Sequence, residues 1–182
     1  VPQAWIAFEF AIPRMGKRAD VIILLDGIIF VIEFKIDANA FTTAAIEQAM
    51  DYAADLKNFH AASHDRLIIP VVIATDAPPK PVQLSLYPDE IAEPILSNGT
   101  DLDKFLLSVV RRFGGQTPLL GEQWIASGYK PTPTIIEAAR ALYQSHRVED
   151  ITRSDAGKKN LSVTNRRLSL LIEEAKAGGQ KI

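Results

Sequence analysis

Ala19-Asp-Val-Ile-Ile-Leu-Leu-Asp-Gly-Ile-Ile-Phe-Val-Ile-Glu-Phe-Lys35 is two apolar runs interrupted once, at Asp26-Gly27. Asp-Gly favours the two-residue turn with positive φ that antiparallel strands need, so the stretch predicts a β-hairpin. If Leu25 and Ile28 close the turn, cross-strand partners have numbers that sum to 53, and Asp20 lies opposite Glu33. Opposed side chains share one face of a sheet, and like charges so placed repel unless something positive sits between them. Two carboxylates at one edge of an otherwise apolar sheet form a cradle for a hard divalent cation. Lys35, two residues after Glu33, falls on the same face. The layout predicts metal-dependent chemistry on a phosphodiester.

Both hairpin strands are apolar throughout instead of alternating, which predicts a sheet covered on its two faces, as in α/β architecture. Residues 6–12 predict a further strand closed by Pro13. Thr42-Thr43 caps a helix running to about His60, with a buried stripe of Ile46, Ala49, Met50, Ala53 and Leu56 and with Gln48 and Tyr52 on the adjacent stripe. Leu67–Thr75 predicts a third apolar strand, beginning after Pro70, and Pro81–Tyr87 alternates like a half-exposed one. Thr100-Asp-Leu-Asp103 resembles a capping box opening a helix to Phe113. Gly114–Pro118 reads as a domain boundary, followed by two more helices: one entered through Pro131-Thr-Pro-Thr134 and continuing through His146, the other over Leu161–Lys176.

The 182 residues suffice for one good core with an appended helical piece. Hydrophobic content of 47% and charged content of 23% fit a globular chain without a membrane-spanning run. Zero cysteines exclude disulfides and thiolate metal sites and fit a reducing, cytoplasmic setting. His60, His64 and His146 are too scattered for a zinc centre, and His60 and His64 read as surface residues at a helix end. The net charge of −2 argues against a general nucleic-acid coat. It is unevenly spread: residues 1–128 carry 10 Lys+Arg against 16 Asp+Glu, and residues 129–182 carry 10 against 6. That tail is either mildly polyanion-seeking or a solvated helical surface.

Glu9, Asp20, Glu33-Phe34-Lys35 and Gln48-Ala-Met-Asp-Tyr52 together resemble the PD-(D/E)XK nuclease superfamily, with Gln-x-x-x-Tyr similar to its RecB-like branch. Ile12-Pro-Arg-Met-Gly-Lys-Arg-Ala-Asp20, Asp55-Leu-Lys-Asn-Phe-His60 and Tyr129-Lys-Pro-Thr-Pro-Thr-Ile-Ile-Glu-Ala-Ala139 resemble the N-terminal portion of bacterial Schlafen-like DNA/RNA helicases, in which a nuclease-like domain precedes a P-loop ATPase. The resemblance implies a restriction-endonuclease-like α/β core over residues 1–118, a mixed central sheet flanked by helices, and a helical extension over 119–182 leading toward the ATPase domain. The chain stops about where that family's next strand would lead into the phosphate loop. No G-x-x-x-x-G-K-[ST] is present, so ATP hydrolysis by that route is not expected.

The expected chemistry is hydrolysis of DNA or RNA with Mg²⁺ or Mn²⁺. Asp20, Glu33 and the carbonyl of Phe34 would hold the cation through oxygen ligands, with Glu9 either a third carboxylate or a surface-strand residue. The cation would lower the pKa of a water and stabilise charge on the scissile phosphate. Lys35 would orient or deprotonate that water, or neutralise the phosphorane. Gln48 and Tyr52 would position substrate or support Lys35. Arg14, Lys17 and Arg18 either touch phosphates or form a solvated loop. Expected partners are nucleic acid, an ATPase domain of the same protein and a second copy of the chain, with no membrane. The competing reading is a catalytically silent nuclease fold that binds nucleic acid or docks onto the ATPase.

Overall fold

The computed structural model describes residues 4–12, 16–132 and 135–136. Its sheet begins with β1 (Ala4–Ala11), β2 (Arg18–Leu25) and β3 (Ile28–Lys35). It continues, after helix α1 (Thr43–Phe59), with β4 (Ile68–Ala74) and β5 (Ile95–Ser97). Helices α2 (Leu102–Phe113) and α3 (Gly121–Ala126) follow. The five strands lie in sequence order, antiparallel through β3 and parallel from β3 to β5. This is an α/β fold with a mixed sheet.

The hairpin turn forms as the sequence requires. Asp26 and Gly27 both have positive φ, 52° and 83°, and the pairs from Leu25–Ile28 to Val21–Ile32 keep the expected register. Asp26 does more than turn the chain, since its Oδ2 accepts a 2.6 Å hydrogen bond from the Gly115 amide. Arg66 Nη1 likewise donates to the Thr117 carbonyl at 2.9 Å. The Gly114–Pro118 stretch is therefore laid against the core.

Both faces of the sheet are covered. On one, Tyr52, Ala53 and Leu56 of α1 pack with Ile22, Leu24, Ile29, Val31 and Ile68. On the other, Phe105 and Val109 of α2 pack with Phe30, Ile32, Ile69, Val71 and Ile73. Every residue of β4 is buried. Pro70 lies inside β4, not before it, paired with Val31. Ile68 bonds to Glu90 and Ala92 on the far side of β4. Alternation aims Pro70's absent N–H to that same side, between the Ile91 bridge and the start of β5 at Val71, where no ladder bond is lost.

Three other expectations are corrected. Residues 81–87 form no strand and share only an isolated Leu86–Ala92 bridge; the strand-forming stretch is Ile95–Ser97, which pairs in parallel with β4 at the edge of the sheet. Helix α2 ends at Phe113 as expected, but its cap Asp101 makes no side-chain cap bond and instead pairs with Lys104 at 2.6 Å. His60 is not a surface residue: it is 1% exposed at the end of α1. Its Nδ1 meets Ser63 Oγ at 2.8 Å and its Nε2 meets Ser127 Oγ at 2.9 Å, while its ring lies 4.4 Å from that of Trp124.

Trp124 fastens α3 to the core. It is 1% exposed, its ring lies 4.8 Å from Phe10, and its indole N–H donates to Ser63 Oγ at 3.0 Å. Trp5 lies so close over Gly121 that a Cβ there has no room. The first compact unit accordingly runs past Gly114–Pro118 to Thr132, and a second comprises residues 133–182. The helices expected over 131–146 and 161–176 lie outside the described residues, apart from helical backbone at 135–136.

Burial holds the His60 imidazole well below its ordinary 6.5, at about 4. Between those values the unfolded chain takes up a proton that the folded chain refuses, so stability falls as pH drops through this window. The full loss is about 3 kcal/mol. Urea melts across this range should show wild type losing more stability than His60→Gln as pH falls. Equal losses in the two would show that His60 is not the source.

Candidate metal and phosphodiester site

The β2–β3 ladder ends at Val21–Ile32, one step before Asp20 and Glu33 would pair. The β1–β2 ladder continues past that point through Phe10–Ala19 and Ala11–Arg18. The far end of the β1–β2 ribbon therefore separates from β3. A change in side-chain alternation accompanies the separation. Ala7 and Phe10 both pack on the α1 side, as do Ala19 and Ile22, so the parity of both strands inverts between those residues. Glu9 lies in the middle of this inversion with φ of +50°, a left-handed conformation uncommon for any residue but glycine.

Asp20 occupies the gap. Its Oδ2 accepts a 2.7 Å hydrogen bond from the Phe34 amide, replacing the strand that β3 loses there. Lys35 turns its carbonyl toward Thr75 of the β4 side, so alternation aims the Phe34 N–H and carbonyl toward the vacated β2 side. The Phe34 carbonyl is thus on the edge that Asp20 occupies, while its side chain packs on the α2 face.

Glu33, Lys35, Gln48 and Tyr52 form a continuous polar chain on the α1 face. Lys35 Nζ donates to Glu33 Oε1 at 2.8 Å and to Gln48 Oε1 at 3.2 Å. Gln48 Nε2 donates to Tyr52 Oη at 2.7 Å. Thr42 fixes the start of α1, accepting from the Ala45 amide, and so sets the phase that brings Gln48 and Tyr52 over β3. Tyr52 belongs to the core itself, at 1% exposure, not to an adjacent stripe.

Glu33 is 3% exposed and its Oε2 has no hydrogen-bond partner. Burial pushes its carboxyl above the usual glutamate range; the Lys35 bond opposes this and the nearby Asp20 charge adds to it. Burial likewise pushes the Tyr52 phenol up, so the hydroxyl that accepts from Gln48 stays neutral. A buried carboxylate oxygen without a partner is costly unless a cation or proton completes it. The donor set on offer, Asp20 and Glu33 carboxylates with the Phe34 carbonyl edge, is all oxygen, which fits Mg²⁺ or Mn²⁺.

The other expected residues are placed differently. Glu9 is exposed and its carboxylate lies 3.9 Å from Arg18 Nε, and among the described residues no three His, Cys, Asp or Glu side chains gather as a metal cluster. The Phe8–Val21 and Phe10–Ala19 pairs set Glu9 level with Asp20, but its φ turns it from the regular strand direction. Lys17 and Arg18 are exposed at the start of β2, and Arg14 lies outside the described residues. Sequence reasoning did not anticipate the Asp20–Phe34 amide bond, which needs the ladder to end early, and no local motif marks that end.

No described helix is long and apolar enough to cross a membrane. Compared with protein-family models, curated proteins and solved structures, the chain matches none.

Proposed function

We propose that residues 4–132 form a restriction-endonuclease-like nuclease core that hydrolyses phosphodiester bonds of DNA or RNA with Mg²⁺ or Mn²⁺. The observation that carries this reading is the buried, unpartnered Glu33 Oε2 beside Asp20, with Lys35 held on the same carboxylate. Asp20, Glu33 and the Phe34 carbonyl would hold the cation, which supplies Lewis acidity toward phosphate and activation of water. The resemblance to the Schlafen-like helicases extends the proposal to an N-terminal module of a helicase-type protein.

The chain's own residues have separable tasks. Asp20 is fixed by the Phe34 amide, so its carboxylate is oriented before anything binds. Lys35 is the positive group at the site, held between Glu33 and Gln48, and its ammonium can donate to a phosphate oxygen as negative charge develops there. Gln48 and Tyr52 touch no reacting atom in this scheme; they restrict where Lys35 can go. Arg18 and Lys17, exposed where β2 begins, would meet flanking phosphates.

Cleavage of labelled single- and double-stranded DNA and RNA in EDTA, Mg²⁺ and Mn²⁺ tests the reading. Metal-dependent product that disappears in Lys35→Ala supports it. The expected loss is about 10²-fold, the size seen when one donor to a developing anion is removed. Absence of product from all four substrates with both metals would leave the silent, binding fold in its place.

A further inference from the structure

The chain leaves the candidate site through a tight turn. The Ala38 amide donates to the Lys35 carbonyl at 3.3 Å, so Ile36 and Asp37 are the two central residues of that turn. Asp37 has φ of +59°, the conformation that a type II turn usually gives to glycine or asparagine. Another residue is held there only where its surroundings over-determine it, and such strain gathers at ligand contacts. The end of β4 supplies the constraint. Thr75 Oγ1 accepts from the Asp37 amide at 2.9 Å. The Thr75 amide donates to the Lys35 carbonyl at 3.3 Å, and the Asp76 amide to the Ala38 carbonyl at 3.1 Å.

What this fixed turn presents is apolar. Ile36 is 67% exposed and belongs to none of the core clusters on either face of the sheet. A turn that only linked β3 to α1 would favour a proline or a small polar residue at that tip. Single exposed apolar side chains are common on surfaces, and this one is set apart by its place. It follows Lys35 by one backbone step of about 3.8 Å, comparable with the roughly 3.4 Å per nucleotide along a strand. With Lys35 at a phosphate, Ile36 is within reach of the adjoining nucleotide. Asp37 is exposed beside it, and its carboxylate repels phosphate, which leaves a base as the part of that nucleotide the tip can meet.

We propose that Ile36 contacts the base next to the scissile phosphate and thereby selects a nucleic-acid segment whose bases are unpaired. This role rests on the phosphodiester reading of Asp20, Glu33 and Lys35. In a duplex the base faces are stacked, and an apolar side chain reaches one only by unstacking a step; a single strand offers its faces without that cost. Every base has such a face, so the selection is for strandedness and not for sequence. DNA and RNA share this chemistry, and parallel oligomers of each separate them.

Fluorescence anisotropy with the full chain in Ca²⁺ tests the role, using a fluorescein-labelled mixed-sequence oligomer as single-stranded DNA, single-stranded RNA and blunt DNA duplex. The readout is binding and needs no cleavage. Wild type should bind a single strand with Kd below about 100 µM and at least about fivefold tighter than duplex. Ile36→Ala should weaken the single-strand complex at least about fivefold and leave the duplex complex within about twofold. Ile36→Phe should hold or tighten the single-strand complex, because an aromatic face stacks on a base; a merely structural role would be damaged by the larger side chain. Absence of single-strand binding, a smaller preference, a smaller loss in the alanine variant, or equal losses in the alanine and phenylalanine variants would overturn the role of Ile36. Mn²⁺ titration of wild type then separates the two levels: bound Mn²⁺ leaves the metal reading standing, and no bound Mn²⁺ removes both.

Discussion

Glu33→Gln is expected to reduce metal-dependent cleavage by about 10³-fold while leaving the metal-free protein as stable as wild type or more so. The two halves of that result have separate causes. Gln retains an amide oxygen to accept from Lys35 but cannot offer the negative charge that a divalent cation needs. Stability moves the other way because burial raises the Glu33 pKa, so the folded chain ionises it less readily than the unfolded chain does. Above its folded pKa that ionisation costs stability, and the cost is relieved as pH falls through it. The neutral amide removes the cost at neutral pH. Adding Mn²⁺ should therefore raise the melting temperature of wild type but not of the variant; at a free concentration about 100 times Kd the gain is about 2.7 kcal/mol. Loss of cleavage with a large loss of metal-free stability would make Glu33 a structural partner of Lys35 and nothing more.

Trp124→Ala carries the largest expected effect on stability. The side chain is 1% exposed, meets Trp5, Phe10 and His60, and satisfies Ser63 through its indole N–H. Truncating a buried tryptophan leaves a cavity among these rings and costs about 3–5 kcal/mol. That is a large share of a typical domain's stability of about 5–15 kcal/mol, so the variant should unfold at much lower urea than wild type. A loss below about 1 kcal/mol would mean that α3 contributes little to the core and that the folded unit ends near Pro118.

The most legible parts of the chain were those where one local rule had no competitor. Asp26-Gly27 can satisfy two successive positive φ values, so the hairpin and its register followed directly. Thr42 before an apolar-periodic run fixed the start of α1. What escaped the sequence depended on partners distant along the chain. His60 looked like a polar helix end until Ser63, Ser127 and Trp124 surrounded it, the last two more than 60 residues away. Pro70 reads as a strand breaker, yet a parallel strand has a side where a missing N–H is harmless if the neighbour starts one residue later. The alternation at residues 81–87 matched a strand, but no sheet edge was left for it beyond the Leu86–Ala92 bridge.

The site divides the same way. Asp20, Glu33 and Lys35 were placed together by the turn alone, and Gln48 with Tyr52 by helical spacing. A hydrogen-bond chain joins Glu33, Lys35, Gln48 and Tyr52, whereas Asp20 lies past the end of the ladder and meets the Phe34 amide instead of pairing with Glu33. Glu9 could not be placed, because its left-handed backbone is set by the inversion of the β1–β2 ribbon and not by any local motif. That inversion also supplies the gap in which Asp20 meets the Phe34 amide.

Isothermal titration of Mn²⁺ into wild type and Asp20→Ala tests the central claim, that this gap holds a divalent cation. The account predicts saturable binding to wild type at one site per chain and none to the variant, with both chains folded by circular dichroism. Equal heats from the two proteins, or no heat from either, would contradict it.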